Sequence, residues 1–134
     1  MARLTKIEGI GEVYAQKLAQ ARIGSTQALL ERAATPQGRA EIAKEAGVTE
    51  HQILEWANQA DLMRVPGIGA EYADLLEAAG VDTVRELAQR NAENLHAKLK
   101  EVNAAHHLTR RVPGVSRIRA WIETAESLPC AIEY

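Results

Sequence analysis

The densest group of chemically capable side chains in the sequence is cationic. Residues 96–119 hold Lys98, Lys100, Arg110, Arg111, Arg117 and Arg119 against Glu101 alone. Guanidinium groups at this density suit phosphate or carboxylate, because each presents a planar fork of donors. Arg110 and Arg111 precede Val112-Pro113-Gly114. Proline restricts Val112 to extended backbone, so the arginine pair is expected on an exposed turn. Ser116 is read as the N-cap of the helix that follows, with Arg117 and Arg119 in its first turn. Cations there oppose the helix dipole, a local cost that anion binding would explain. The alternative is that Arg117 and Arg119 pair with acidic residues of the segment 64–95, which carries six Asp and Glu against three Lys and Arg. Such solvated ion pairs contribute little to stability.

Other reactive chemistry does not assemble. Cys130 is the one cysteine, so no intrachain disulfide is possible, and no ligand spacing surrounds it. His106 and His107 are adjacent and diverge by ~100° on a helix, which argues against a shared metal. Val65-Pro66-Gly67-Ile68-Gly69 lacks the Lys-Ser/Thr of a phosphate-binding loop and follows no strand. Asp74 and Glu77 can share a helix face but read as solvated surface. Trp56 and Trp121 read as core anchors. The chain is therefore expected not to be an enzyme, with no cofactor and no metal.

The elements that position these groups repeat. Ile7-Glu8-Gly9-Ile10-Gly11 returns as Val65-Pro66-Gly67-Ile68-Gly69, 58 positions later. The same offset carries Tyr14 to Tyr72, Ala15 to Ala73, Leu18 to Leu76, Ala21 to Ala79, Ser25 to Thr83 and Leu29 to Leu87. The register then drifts and recovers at an offset of 65, where Trp56 matches Trp121. The second half thus contains extra residues, placed around His106 to Gly114. The local grammar is helical. Ser25, Thr35, Thr49 and Asn91 are N-caps, Pro36 opens a helix, Gly47 closes one, and Ile23-Gly24 ends another. Only the stretch Ala131 to Tyr134 has any strand character. Eight short helices are expected, in repeats spanning 1–63 and 64–134, the second with a basic insertion and a short tail. Neither repeat can bury its apolar stripe alone, so the two are expected to share one core.

Leu4-x-x-Ile7-x-Gly9-Ile10-Gly11-x-x-x-Ala15-x-x-Leu18 has the pattern of a helix-hairpin-helix motif, and residues 62–76 repeat it. Glycines allow the tight turn, the alanine lets the helices cross closely, and the central isoleucine plugs the gap. The chain also resembles a bacterial family of uncharacterised tandem helix-hairpin-helix proteins, a domain of unknown function. The likeness rests on Thr35-Pro36-Gln37-Gly38-Arg39, on residues 53–62 around Trp56, on residues 75–83, on Asn94-Leu95 and on Arg110-Arg111-Val112-Pro113. It implies the all-helical, pseudo-symmetric architecture and brings no activity. DNA-binding relatives of the motif grip a phosphate with the hairpin amides and the first turn of the second helix. Carried over, that implies contacts at Gly9, Gly11, Glu12 and Val13, and at Gly67, Gly69, Ala70 and Glu71. Glu12 and Glu71 depart from the basic or small residues usual there. Lys6 and Lys17 can offset Glu12, so the first hairpin stays a candidate contact. At the second, Glu71, Asp74 and Glu77 favour a structural role for Gly67, Ile68 and Gly69.

The whole chain of 134 residues has a net charge of −2 and is 46% hydrophobic and 25% charged, the balance of a globular protein. A uniformly basic nucleic-acid binder is excluded; any such surface must be local. No apolar run approaches the ~20 residues of a membrane span, and residues 1–12 lack a signal-peptide core. A cytoplasmic protein without membrane contact is expected. The functional expectation is sequence-independent binding of the double-stranded DNA backbone through Gly9, Gly11, Lys6, Lys17, Arg110, Arg111, Arg117 and Arg119. The alternative is a protein-interaction or scaffold module that keeps the motif for its shape. If the repeats share a core, residues 1–61 expressed alone will show no cooperative thermal transition by circular dichroism; a sharp, stable melt would mean two independent domains.

Overall fold

The computed structural model describes residues 3–7 and 9–134; Glu8 of the first hairpin and residues 1 and 2 lie outside the described residues. Among the described residues there are eight α-helices and no strand. The chain divides into two compact units, residues 1–61 with 131–134, and residues 62–130.

In the first unit a 3-10 turn, Leu4–Lys6, leads into α1 (Glu12–Gln20), followed by α2 (Thr26–Arg32), α3 (Pro36–Ala46) and α4 (Glu50–Leu62), whose last residue belongs to the second unit. Local sequence chemistry sets most boundaries. The Ser25 and Thr35 hydroxyls accept from the Ala28 and Gly38 amides, and Thr49 and Gln52 form a reciprocal capping box. The 3-10 turn and α3 pack on α1, and α2 packs on α3. Ile7, Leu18, Ile23, Leu29, Ile42 and Ile53 are fully buried among them. Residues 131–134, assigned by sequence to the second repeat, form no strand and pack with this unit instead.

The second unit contains α5 (Ala70–Ala78), α6 (Val84–Ala88), α7 (Ala92–His106) and α8 (Val115–Ser127). Its apolar core runs from Leu62 to Ala125 and includes Leu75, Leu76, Leu87, Leu95, Leu99, Ile118 and Trp121. Helix α8 lies against α6 and α7, and α5 against α7. Thr83 and Asn91 cap α6 and α7 through their side chains. One expected cap is wrong. The N-cap of α8 is Gly114, not Ser116. The Ile118 amide donates to the Gly114 carbonyl at 3.0 Å, so helical backbone begins at Val115. Arg117 is therefore in the first turn and Arg119 beyond it.

The expected stop at Ile23-Gly24 also falls elsewhere. Helix α1 ends through Arg22, held at φ 65°, while Gly80 at φ 90° occupies the corresponding place after α5. Both ends close identically: the Ile23 amide donates to the Leu18 carbonyl, and the Val81 amide to Leu76. Left-handed backbone costs an L-residue about 1–2 kcal/mol, offset in part by the extra freedom glycine has in the unfolded chain. Arg22→Gly is therefore expected to stabilise the protein by about 0.5–1 kcal/mol, and Gly80→Arg to destabilise it comparably. Thermal melts of the two variants should move in opposite directions; a lower melting temperature for Arg22→Gly would contradict this account.

Candidate functional site

The second glycine turn follows α4. The Val65 amide donates to the Leu62 carbonyl and the Ile68 amide to Val65, which brings the chain to Gly69 as N-cap of α5. Ile68 is buried and plugs the turn, while Gly67 and Gly69 stay at the surface. Gly67 has φ 94°, and a Cβ there would stand 3.1 Å from Trp121 Nε1 and 3.9 Å from an Arg117 guanidinium nitrogen. Glycine is needed for both reasons: the dihedral, and the close approach of the indole.

Around this contact the side chains form a stack. Tyr72 and Trp121 lie 5.4 Å apart at 56°, and the Arg117 guanidinium sits 5.4 Å from the Tyr72 ring centre and 6.0 Å from that of Trp121. Trp121 is 2% exposed. The indole is thus almost wholly withdrawn from solvent, with its Nε1 edge against Gly67.

The basic loop between α7 and α8 is fixed beside the same stack. The Asn103 amide clamps Thr109, donating to its carbonyl at 3.0 Å and accepting from its backbone N–H at 2.9 Å. The Tyr72 hydroxyl donates to the Arg111 carbonyl at 3.4 Å. Arg110 and Arg111 are exposed, and neither forms an ion pair among the described residues. Arg119 differs: its guanidinium is bonded to the Glu93 carboxylate. The structure thus splits the four arginines. Arg117 joins the second turn, Arg110 and Arg111 are free cations on the loop, and Arg119 is neutralised, as the ion-pair alternative expects for that residue alone.

The first turn carries a similar set. Gly9 has φ 91°, and a Cβ there would stand 3.5 Å from Trp56 Nε1. Tyr14 and Trp56 lie 5.2 Å apart, and Lys17 Nζ is 5.5 Å from the Tyr14 ring centre. Lys6 is exposed on the preceding 3-10 turn, and Gly11 is the N-cap of α1. Helices α1, α5 and α8 start from Gly11, Gly69 and Gly114 with no side-chain cap. Their first amides have no intrahelical acceptor and no capping side-chain oxygen. Glu12 and Glu71 stand exposed in the first turns of α1 and α5, a repulsive contribution that Lys17 and Arg117 oppose. The placement of Tyr72 and Trp121 at the turn escapes sequence reasoning, which assigns the tryptophans to the core only; their signal was the matching Tyr14/Tyr72 and Trp56/Trp121 positions.

Elsewhere the chemistry is sparse. Among the described residues no three His, Cys, Asp or Glu side chains are placed to hold a metal, and no helix is long and apolar enough to cross a membrane. Cys130 is exposed.

Fold and site together define an all-helical domain in which two glycine turns, each closed by a tryptophan, present open helix N-termini beside cations. The chain belongs to the family described as a domain of unknown function (DUF4332), which matches residues 8–128. No curated protein and no solved structure matches it.

The indole contacts rank the two turns. Gly67→Ala and Gly9→Ala each incur a backbone cost of about 1–2 kcal/mol. Gly67→Ala must also displace Trp121 and is expected to be the more destabilising. Chemical denaturation of both variants checks the order, and equal losses would mean that the indole yields freely.

Proposed function

We propose that the chain is a non-catalytic helix-hairpin-helix module that holds the phosphate backbone of double-stranded DNA without reading base sequence. The observation that carries this reading is the meeting of Arg117 with the second glycine turn, beside two arginines that have no carboxylate partner. A phosphate there finds guanidinium forks and the uncapped amides of α5. Duplex DNA supplies phosphates at a spacing that several such points can engage together. On this reading the two glycine turns are the hairpins of a pseudo-symmetric pair, and the second hairpin touches the ligand as well as supporting the fold. Lys6 and Lys17 serve the first hairpin in the same way, while Arg119, held by Glu93, contributes least. A cytoplasmic location accompanies this role.

The second reading, a protein-interaction module, draws on Val13. This side chain is 66% exposed in the first turn of α1, beside Glu12, where an anion-binding surface has no use for it. Titration with a short duplex at rising salt separates the two. Affinity that falls steeply with salt supports the DNA reading; absence of binding at about 50 mM salt favours the protein partner.

Arg110→Ala with Arg111→Ala is expected to leave the melting temperature nearly unchanged, because neither side chain is paired. Duplex affinity should fall alike for all sequences. The salt slope should shrink in magnitude by roughly two, about 0.9 for each phosphate that the variant no longer neutralises. A markedly lower melting temperature would make these arginines structural and remove the main support for DNA binding.

A further inference from the structure

At the far end of α1 from Gly11, the first unit contains a depression of about 550 Å³ lined by Gln20, Ala21, Arg22, Arg32 and Glu45. Three elements meet there: the end of α1, the last residue of α2 and the last turn of α3. Arg32 is fixed in place. One of its guanidinium nitrogens donates to the carbonyl of Ala21, the C-cap of α1, at 2.9 Å. The other stands 3.8 Å from a Glu45 carboxylate oxygen, too far for a hydrogen bond. Arg22 is exposed, and its side chain makes no hydrogen bond or ion pair among the described residues.

Arginine is a costly choice at position 22. Its φ of 65° is left-handed, a conformation that disfavours an L-residue. The matching Gly80 takes left-handed backbone without that cost. No contact of the Arg22 side chain offsets it. The bonds that close α1, from the Arg22 amide to Ala19 and from the Ile23 amide to Leu18, involve main chain alone and form equally well with glycine. An outlier of this kind points to a use for the side chain. What Arg22 adds is a second guanidinium at the depression, beside one already oriented by Ala21. The Arg32 and Glu45 side chains are 39% and 53% exposed, so their long pairing contributes little and yields to a stronger partner.

We propose that this depression binds a small phosphate monoester that carries an amine, its phosphate bridging Arg22 and Arg32 and its ammonium group on Glu45. Two guanidinium charges match a phosphate dianion, and both present the planar forks that phosphate oxygens fit. Glu45 exchanges its long contact with Arg32 for the cationic group of the ligand. Gln20 offers a neutral donor and acceptor at the wall. The volume is that of a small-molecule site, and apart from Ala21 every lining residue is polar or charged, which suits a charged ligand. A duplex differs in charge and shape, since its phosphates are singly charged diesters on a convex surface. The site lies the length of α1 away from Gly11 and is independent of the DNA reading.

The test is isothermal titration calorimetry on the full chain in phosphate-free buffer, with O-phosphoethanolamine as the probe and inorganic phosphate and dimethyl phosphate as comparisons. Phosphoethanolamine is expected to bind with a Kd of about 1 mM or tighter, inorganic phosphate more weakly, and the diester weakest. Arg22→Gly should weaken phosphoethanolamine about tenfold or more while raising the melting temperature, so that the loss cannot come from a damaged fold. Glu45→Gln should bring phosphoethanolamine down to the affinity of inorganic phosphate. Absence of phosphoethanolamine binding at about 10 mM overturns the proposal, as does an Arg22→Gly chain that binds it like wild type. Dimethyl phosphate that binds as well as phosphoethanolamine would assign the arginines to a diester backbone and overturn it too. The wild-type comparisons stand even if Arg22→Gly fails to fold.

Discussion

An indole nitrogen pressed against a glycine organises each turn. Trp121 Nε1 lies so close to Gly67 that even a Cβ would crowd it, and Trp56 stands in ordinary contact range at Gly9. The contact works because one partner contributes nearly all the area and the other contributes none. A buried tryptophan removes a large apolar surface from water, while the glycine offers only backbone. The edge of the indole thereby reaches the chain at the one place where it must bend. In the second unit that contact ties α8 to the turn before α5, and α8 carries Arg117 with it. Tyr72 completes the wedge between them. The cation at the turn follows from how the tryptophan is seated.

The capping pattern divides the helices by task. Where Ser25, Thr35, Thr83 and Asn91 cap, side-chain oxygens fill the first amides, and those helix ends offer a ligand nothing. Where Gly11, Gly69 and Gly114 cap, no side-chain oxygen takes up the first amides. A glycine cap gives up little stability relative to serine or asparagine, so the open ends cost the fold only tenths of a kcal/mol each. Acidic residues in the first turns of α1 and α5 then satisfy the helix dipoles in the absence of any ligand. Glu12 and Glu71 thus stabilise the free protein at the positions where they oppose an anion.

Much of this architecture was legible in the residues. Helix starts at Ser25, Thr35, Thr49, Thr83 and Asn91 follow from short-range hydrogen bonding that depends on only three or four neighbouring positions. The buried faces follow from apolar periodicity, and the glycine turns from their repetition at a fixed offset. What stayed hidden depends on distant residues. Arg22 accepts a left-handed backbone because the bonds closing α1 fix it there, although Gly24 is the stronger local stop signal. Ser116 looks like a cap, but the first turn closes on Gly114. Arg117 reaches Gly67 across fifty positions, and the inserted residues that shift the repeat offset from 58 to 65 obscure that pairing. Four residues at 131–134 are too few for any periodicity to show where they dock.

That docking makes the first unit discontinuous along the chain, with all of residues 62–130 interposed between its two parts. Domains generally fold in the order in which the ribosome releases them. Here the order is inverted: every residue of the second unit has been synthesised before Ala131 exists. Until then Arg39 lacks the Glu133 carbonyl and the Ala34 carbonyl lacks its donor, the Glu133 N–H. Completion of the first unit thus comes after synthesis of the second, and it reports that the intervening polypeptide has been made in full.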